Sequence, residues 1–282
     1  MLPAAGAATP APNLRYAYAA ITWGDAERQC IDDVAASGFR GIQFRANAVK
    51  DFRPDELKAL MAAHRLTFVA LSSGQISIDK PAEPQLKEHV ANAEFVKAAG
   101  GKYLQILDQL GKYGRPAEPE QCRQLGVLLT ELGKRTADVG VPLSFHNHMG
   151  GLSERPENLD RVLDASDPKY VKLELDTAHY AAPGGNNLEA LRKYHDRLLF
   201  LHLKDYKPLP AGTASNYPFL FTELGEGIID FKPIFAELAA LRFKGWAVVE
   251  LDREPVAGRT PKESAAISRA FLEKTFHADV TA

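Results

Sequence analysis

The sequence has few cysteines, no excess of basic charge and no long apolar segment, and each shortage excludes a class of protein. Its 282 residues include only two cysteines, too few for the disulfide framework of a small secreted domain. Lys and Arg number 34 and Asp and Glu number 36, a formal net charge of −2, whereas nucleic-acid-binding proteins usually carry a basic excess. No segment approaches the roughly 20 apolar residues that span a bilayer. We therefore expect neither a nucleic acid nor a membrane as partner.

The composition is that of a folded domain, with 45% hydrophobic and 25% charged residues. The first dozen residues are uncharged, rich in alanine and proline, and lack the cationic start of a signal peptide. We predict that residues 1–13 are a disordered or leader segment, the remnant of a trimmed export signal being one alternative, and that residues 14–282 form one domain. The compartment stays open, and a soluble protein, cytoplasmic or exported, is expected.

Short apolar segments alternate with segments of helical periodicity from residue 14 onward. The predicted strands are 16–22, 41–45, 67–73, 103–108, 143–148, 171–176, 198–205 and 246–252, and the clearest helices are 26–37, 54–64, 83–99, 119–139 and 261–274. Such alternation indicates parallel βαβ units, and eight units in about 250 residues is the size of a (β/α)8 TIM barrel. A doubly wound sheet is the alternative, but no GxGxxG motif follows the first strand. We predict an α/β fold consisting of a single (β/α)8 TIM barrel.

Polar side chains follow one another at the ends of the last four predicted strands. They are His146-Asn147-His148, Glu174-Leu175-Asp176, His202-Leu203-Lys204 and Glu250-Leu251-Asp252. Because residues two apart on a strand share a face, and barrel chemistry lies at the C-terminal strand ends, we expect these side chains in the barrel mouth. Imidazoles and carboxylates together suit a divalent transition metal, or Mg²⁺ where oxygens dominate. A hydrogen-bonded cluster without metal is the alternative.

Longer segments extend these patterns into a family resemblance. They are TWGD (22–25), FHNHMGGL (145–152), VKLELDTAHY (171–180), LLFLHLKDY (198–206), LGEGIIDF (224–231) and WAVVELDREP (246–255). Together they resemble the xylose-isomerase-like barrels known as sugar phosphate isomerases/epimerases, a superfamily that also holds endonuclease IV, tagatose 3-epimerase-like enzymes and myo-inosose dehydratase. The resemblance spans most of the chain and implies the barrel fold, but it is far less specific for a substrate.

The resemblance implies a metal site with ligands at the ends of strands five to eight, usually Glu, Asp, His and Glu. Asp176, His202 and Glu250 match the last three, and the strand-five position holds His146 instead of Glu, with His148 as its competitor. Members similar to inosose dehydratase also have a His-rich strand five followed by Met-Gly, as this chain has. We expect one divalent ion, Mn, Zn, Co or Mg, bound by His146, Asp176, His202 and Glu250.

Four side chains are expected to act on the substrate: Glu250, His148, His179 and Lys204. Glu250 is the expected base, and His148 offers a second acid or base. The resemblance makes His179 a substrate contact or proton carrier, with support of a metal ligand as the alternative. Lys204 either stabilises a developing enolate oxygen or forms an ion pair with Glu174 or Asp252, and we expect Glu174 to be its structural partner.

The function predicted from these features is a metal-dependent isomerase or epimerase that abstracts a proton next to the carbonyl of a small keto-sugar or related polyol. A dehydratase, or lyase, acting on a keto-sugar or inosose is the alternative, because both reactions begin with the same proton abstraction. His146 replaces one glutamate of the two-carboxylate epimerase mechanism, which favours the lyase. A non-catalytic sugar-binding barrel is a third hypothesis, and a homo-oligomer is compatible with the sequence. The net charge of −2 disfavours a DNA hydrolase.

The loop at 206–222 is long enough to cover the barrel mouth. Long loops in compact domains often act as active-site lids. We therefore expect part of this segment to lie over the polar strand ends.

Overall fold

The computed structural model describes residues 13–210, 212, 217–252 and 258–281. The strands are β1 Asn13–Ala19, β2 Gly41–Arg45, β3 Thr67–Ile76, β4 Tyr103–Asp108, β5 Leu143–His146, β6 Val171–Asp176, β7 Leu198–Leu203, β8 Asp205–Pro208, β9 Phe219–Thr222 and β10 Lys244–Val249. The helices are α1 Glu27–Ala36, α2 Ala48–Asp51, α3 Pro54–Ala63, α4 Ala82–Ala98, α5 Pro119–Val139, α6 Pro156–Asp164, α7 Thr177–Ala181, α8 Asn187–Tyr194, α9 Phe231–Ala240 and α10 Pro261–Phe276.

Eight of these strands close into a parallel barrel in the order β1-β10-β7-β6-β5-β4-β3-β2. Helices lie between successive barrel strands, which confirms the predicted single (β/α)8 TIM barrel. The remaining two strands, β8 and β9, form an antiparallel hairpin that follows β7 at the C-terminal end of the barrel. Residues 1–12 lie outside the described residues and Asn13 already belongs to β1, so the leader segment stays a prediction.

Local sequence signals account for where the major helices begin. Proline occupies the first turn of α3, α5, α6 and α10, where its missing N–H would have no helical partner. Capping boxes, in which the N-cap and N3 residues bond each other's backbone, close the starts of α5 and α10. Gly140 ends α5 in the left-handed conformation that favours glycine. The predicted bounds of α5, residues 119–139, are those observed.

Two apolar clusters stabilise the barrel. The larger one fills the space between the strands and the surrounding helices. The smaller one contains Phe200, Trp246 and Val248 together with small side chains of β1 and β3, and the ring of Tyr103 stacks on Phe200 at a centroid distance of 5.5 Å. Phe200 and Trp246 lie at alternate positions below His202 and Glu250, so this cluster occupies the inside of the barrel beneath the polar strand ends. The polar residues therefore rest on an apolar layer.

The structure also describes the two cysteines and the hydropathy of the helices. Cys30 and Cys122 are both buried and free. Among the described residues, no helix combines the length and the hydropathy that a bilayer crossing requires.

Candidate active site

The four predicted metal ligands meet at the C-terminal end of the barrel. His146, Asp176 and His202 lie in or at the end of β5, β6 and β7, and Glu250 directly follows β10. All four are buried. His202 Nδ1 lies 3.0 Å from Glu250 Oε2 and 3.5 Å from Asp176 Oδ2, and the His146 and His202 rings are 4.8 Å apart between centroids. The spacing of two residues along each strand thus brings imidazoles and carboxylates into direct contact.

Several polar atoms in this cluster contact oppositely charged groups but form no well-directed hydrogen bond among the described residues. They are His146 Nδ1, Glu174 Oε1, Asp176 Oδ2 and His202 Nδ1. Leaving a buried polar atom unpaired costs about 1–3 kcal/mol, and more for a charged group. Two sets of side chains offer ligand atoms within 4.8 Å of one another, namely His146, Asp176, His179 and Glu250, and His146, Glu174 and His202. These unpaired nitrogen and oxygen atoms fit a divalent cation, and His179 and Glu174 join the candidate ligands.

Gln43 of β2 reaches across the barrel and orients His202. Its Oε1 lies 2.7 Å from His202 Nε2, and an amide oxygen only accepts hydrogen bonds, so Nε2 carries the proton. The opposite nitrogen, Nδ1, therefore faces Asp176 and Glu250. Gln43 was not among the predicted site residues. A single polar residue in a short apolar strand has only its inward position, given by strand alternation, to indicate a role.

The charges around His202 require a cation at this point of the site. Burial lowers the pKa of His202, but the neighbouring carboxylates of Glu174 and Glu250 outweigh it, and the pKa lies well above its ordinary value. Burial, followed by the positive charge of His202, lowers the pKa of His146 well below its usual range, so His146 is neutral. A proton on His202 or a divalent ion would supply the positive charge that these carboxylates demand.

The ammonium of Lys204 is fully buried in a ring of carboxylates. Its Nζ lies 2.5 Å from Glu250 Oε2, 2.9 Å from Asp252 Oδ2 and 3.3 Å from Asp176 Oδ2, and 2.9 Å from His179 Nε2. Burial lowers the pKa of Lys204, but the charges of Asp176, Asp252 and Glu250 raise it far above its ordinary value. Lys204 is therefore a permanent cation that donates hydrogen bonds.

The predicted pairing of Lys204 with Glu174 is wrong. Glu174 Oε1 lies instead 2.5 Å from His202 Nε2 and 3.5 Å from His146 Nδ1. The register explains the difference, because Glu174 is level with Phe200 of β7, whereas Lys204 lies four residues further along, two inward positions nearer the mouth. The other expected partner of Lys204, Asp252, is confirmed by its 2.9 Å contact.

His179 and His148 stack at the mouth, with their ring centroids 3.7 Å apart. His179 lies in α7, whose first turn is held by Asp176 Oδ1, which accepts from Ala178 N and His179 N at 2.8 Å each. His148 Nδ1 donates to the carbonyl of Met149 at 2.7 Å, which leaves Nε2 as an acceptor. Burial, followed by His179, lowers the pKa of His148 to about 3. His148 is partly exposed, so a neutral imidazole faces the opening.

The β8–β9 hairpin adds an aromatic side chain that the sequence analysis missed. The Phe221 ring lies 5.1 Å from the His179 ring between centroids, and Lys204 Nζ lies 4.9 Å from the Phe221 centroid. This hairpin belongs to the segment expected to cover the mouth, of which residues 211 and 213–216 lie outside the described residues. In the sequence, only the length of the segment 206–222 indicated that it could cover the barrel mouth.

An inosose dehydratase of Clostridium botulinum is 30% identical over 266 residues, which cover 87% of this chain and 88% of that protein. Among solved structures, the IOLI protein with a bound zinc atom superposes with a TM-score of 0.75 at 20% identity, covering 95% of this chain and 98% of that one. An L-ribulose 3-epimerase superposes with a TM-score of 0.72 at 16% identity over 94% of this chain and 95% of that one.

The family model that matches is the xylose isomerase-like TIM barrel, over residues 31–275. This match spans nearly all of the barrel described above, including every strand end that carries the polar cluster. The chain therefore belongs to the xylose isomerase-like TIM barrel family.

Proposed function

We propose that the protein is a metal-dependent dehydratase that removes water from a cyclic ketopolyol, an inosose or a close relative. The observation that carries the proposal is the contact of Glu250 Oε2 with Lys204 Nζ at 2.5 Å, beside His179. A proton acceptor, Glu250, and a hydrogen-bond donor, Lys204, thus lie on one side of the site next to the His179 imidazole, while the opposite strand end, β5, offers His146 instead of a carboxylate. The inosose dehydratases at up to 30% identity support the same reaction class.

His146, Asp176, His202 and Glu250 would hold the divalent ion, with Glu174 and His179 next to them. When bound, such an ion supplies Lewis-acid polarisation of the ketone and its neighbouring hydroxyl. Its identity is left open among Mn, Zn, Co and Mg, although the IOLI structure contains zinc. The remaining chemistry depends on residues of this chain.

Glu250 accepts the proton from the carbon next to the ketone, because its side chain keeps some exposure whereas those of Glu174 and Asp176 have none. The electron pair of that C–H bond moves to the ketone oxygen, where the Lys204 ammonium stabilises the developing negative charge. When the electron pair returns, the bond to the β-hydroxyl breaks and a C=C bond forms. The departing hydroxyl takes up the proton that Glu250 has abstracted, and His179, which has a ring nitrogen within 4.8 Å of a Glu250 oxygen, would carry it there, since Lys204 is held too firmly by three carboxylates to act as an acid. The products are water and an unsaturated ketone.

The test is to incubate metal-loaded protein with an inosose in D₂O. We expect a metal-dependent rise in ultraviolet absorbance from the conjugated ketone, together with deuterium at the carbon next to the carbonyl in the inosose that is recovered unreacted. Glu250→Gln should abolish both, whereas Glu94→Gln, a change at an exposed glutamate of α4, should leave both unchanged. Exchange that persists at the wild-type rate in Glu250→Gln, with metal still bound, would show that Glu250 is not the base.

The second candidate is the isomerase or epimerase that the sequence predicts. An epimerase needs a proton acceptor on each face of the substrate, and His148 Nε2, partly exposed and free of the Met149 hydrogen bond, would be the second. Deuterium incorporation with a new stereoisomer and no absorbance change would favour this reaction. Sugar binding without any exchange would favour the non-catalytic sugar-binding barrel instead.

A further inference from the structure

The β8–β9 hairpin has two chemically different faces. Tyr206 lies opposite Phe221 in the antiparallel ladder, and residues opposite one another or two apart on a strand share a face. Tyr206, Phe219 and Phe221 therefore lie on one side of the hairpin, with centroids 5.2 Å apart for Tyr206 and Phe219 and 5.6 Å apart for Phe219 and Phe221. Asp205, Lys207, Leu220 and Thr222 lie on the other side. The hairpin thus turns a continuous aromatic face in one direction.

Asp205 fixes the hairpin to the barrel. Its carboxylate accepts hydrogen bonds from the backbone N–H groups of Gly225, Gly227 and Ile229 at 3.0–3.1 Å, and from Tyr206 N at 2.9 Å. A side chain at Gly227 would collide with this carboxylate, so glycine is required for the close approach. The glycines of the segment 224–231 therefore serve to hold the aromatic hairpin in a set position.

Phe221 is the residue of this aromatic face that reaches the candidate active site. Its ring borders both His179 and Lys204, and it is only partly buried. The other groups around the Lys204 ammonium are carboxylates and an imidazole. Phe221 therefore supplies an apolar surface next to Lys204, whose other contacts named above are polar or charged. Binding sites that combine an apolar wall with a few directed polar groups select ligands by shape as well as by hydrogen bonding.

We infer that Phe221 is a specificity-determining residue that selects cyclic ketopolyols over open-chain ketoses. A six-membered ring presents a rigid face of C–H groups that packs flat against an aromatic ring, whereas its hydroxyls and ketone remain directed at the polar cluster. An open-chain ketose has no such face and would lose more conformational freedom on binding. The inference rests on the proposed function, because it identifies the substrate class of the same site.

The test compares Phe221→Ala, Phe221→Leu and Phe221→Tyr with Leu220→Ala, which changes the opposite face of the same hairpin. KM and kcat are measured for an inosose and for an open-chain ketohexose, and the dissociation constant of a non-reacting cyclitol is measured by calorimetry. We expect Phe221→Ala to raise KM and the cyclitol dissociation constant about tenfold, a typical effect of losing one aromatic contact, with kcat changed less than about threefold. Phe221→Tyr, which keeps the ring, should bind like the wild type, and Leu220→Ala should change nothing.

The outcomes separate this inference from the proposed function. A wild-type protein that binds the cyclitol but turns over no inosose would contradict the proposed dehydratase, and the cyclitol dissociation constants of the variants would still decide the role of Phe221. Equal losses for cyclic and open-chain ligands, or no loss in either Phe221→Ala or Phe221→Leu, would overturn the inference. A wild-type protein that binds neither class of ligand would overturn both.

Discussion

Replacing Lys204 with methionine tests whether the buried ammonium holds the polar cluster together. Methionine keeps the length of the side chain and removes its charge. At the 2.9 Å separation of Lys204 Nζ and Asp252 Oδ2, Coulomb's law with an effective dielectric constant of about 20 gives an attraction of about 6 kcal/mol. Desolvation of the charges offsets much of this attraction. Removing one partner of a buried ion pair costs about 3–5 kcal/mol, because the other charge is left uncompensated.

We therefore expect Lys204→Met to lower the free energy of unfolding of metal-stripped protein by about 3–5 kcal/mol. With a urea dependence of about 3 kcal/mol per molar, the midpoint of unfolding would fall by roughly 1–1.7 M, measured by circular dichroism. The double variant Lys204→Met/Asp252→Asn should recover part of the loss, because it removes one of the stranded charges. A loss below about 1 kcal/mol, or a double variant less stable than the sum of the two single changes, would refute this account of the cluster.

Three further predictions follow from the geometry of the site and of the barrel wall. Gln43→Leu should weaken metal binding about 10–100-fold by calorimetry, because His202 Nε2 loses one of its two acceptors and only Glu174 then orients the ring, and Gln43→Glu, which keeps an acceptor, should not. His179→Ala should keep its metal, measured by elemental analysis, and lose turnover by about 10²-fold; loss of the metal as well would make His179 a ligand. Burial raises the pKa of Glu27 to about 7 despite Arg45, so the protonated form is favoured in the folded state. The resulting stabilisation is complete below the pKa of the unfolded chain and disappears as pH rises through 7, so between pH 5 and 8 the wild type should lose stability relative to Glu27→Gln.

The fold and the position of the polar cluster follow from local patterns in the sequence. The alternation of strands and helices gave all eight barrel strands, and the first-turn prolines marked the starts of α3, α5 and α10. The spacing of two residues at the strand ends located His146, Asp176 and His202 at one mouth. Each of these signals lies within a few residues of the feature that it predicts.

What the sequence did not predict depends on contacts across the barrel. The predicted pairing of Lys204 with Glu174 was wrong because it depends on the relative heights of residues on different strands. These heights follow from the stagger of the barrel, which the sequence of a single strand does not encode. Gln43 touches His202 from a strand 159 residues away in sequence. The position of Phe221 depends on the anchor between Asp205 and the 225–229 loop, and the chain must already be folded for that anchor to form.

The apolar layer of Phe200, Trp246 and Val248 beneath the cluster limits the routes by which solvent hydrogen reaches the reacting groups. In the part of the chain that the structure describes, this layer separates the reacting groups from water at the opposite end of the barrel, so solvent hydrogen enters by way of the mouth. A substrate packed beneath Phe221 would narrow that route, so some abstracted protons would return to the substrate before they exchange with solvent. The fraction of isotopic label that the substrate loses to solvent, compared with the fraction that it retains, would therefore measure how far the β8–β9 hairpin restricts water entry at the mouth during one catalytic cycle.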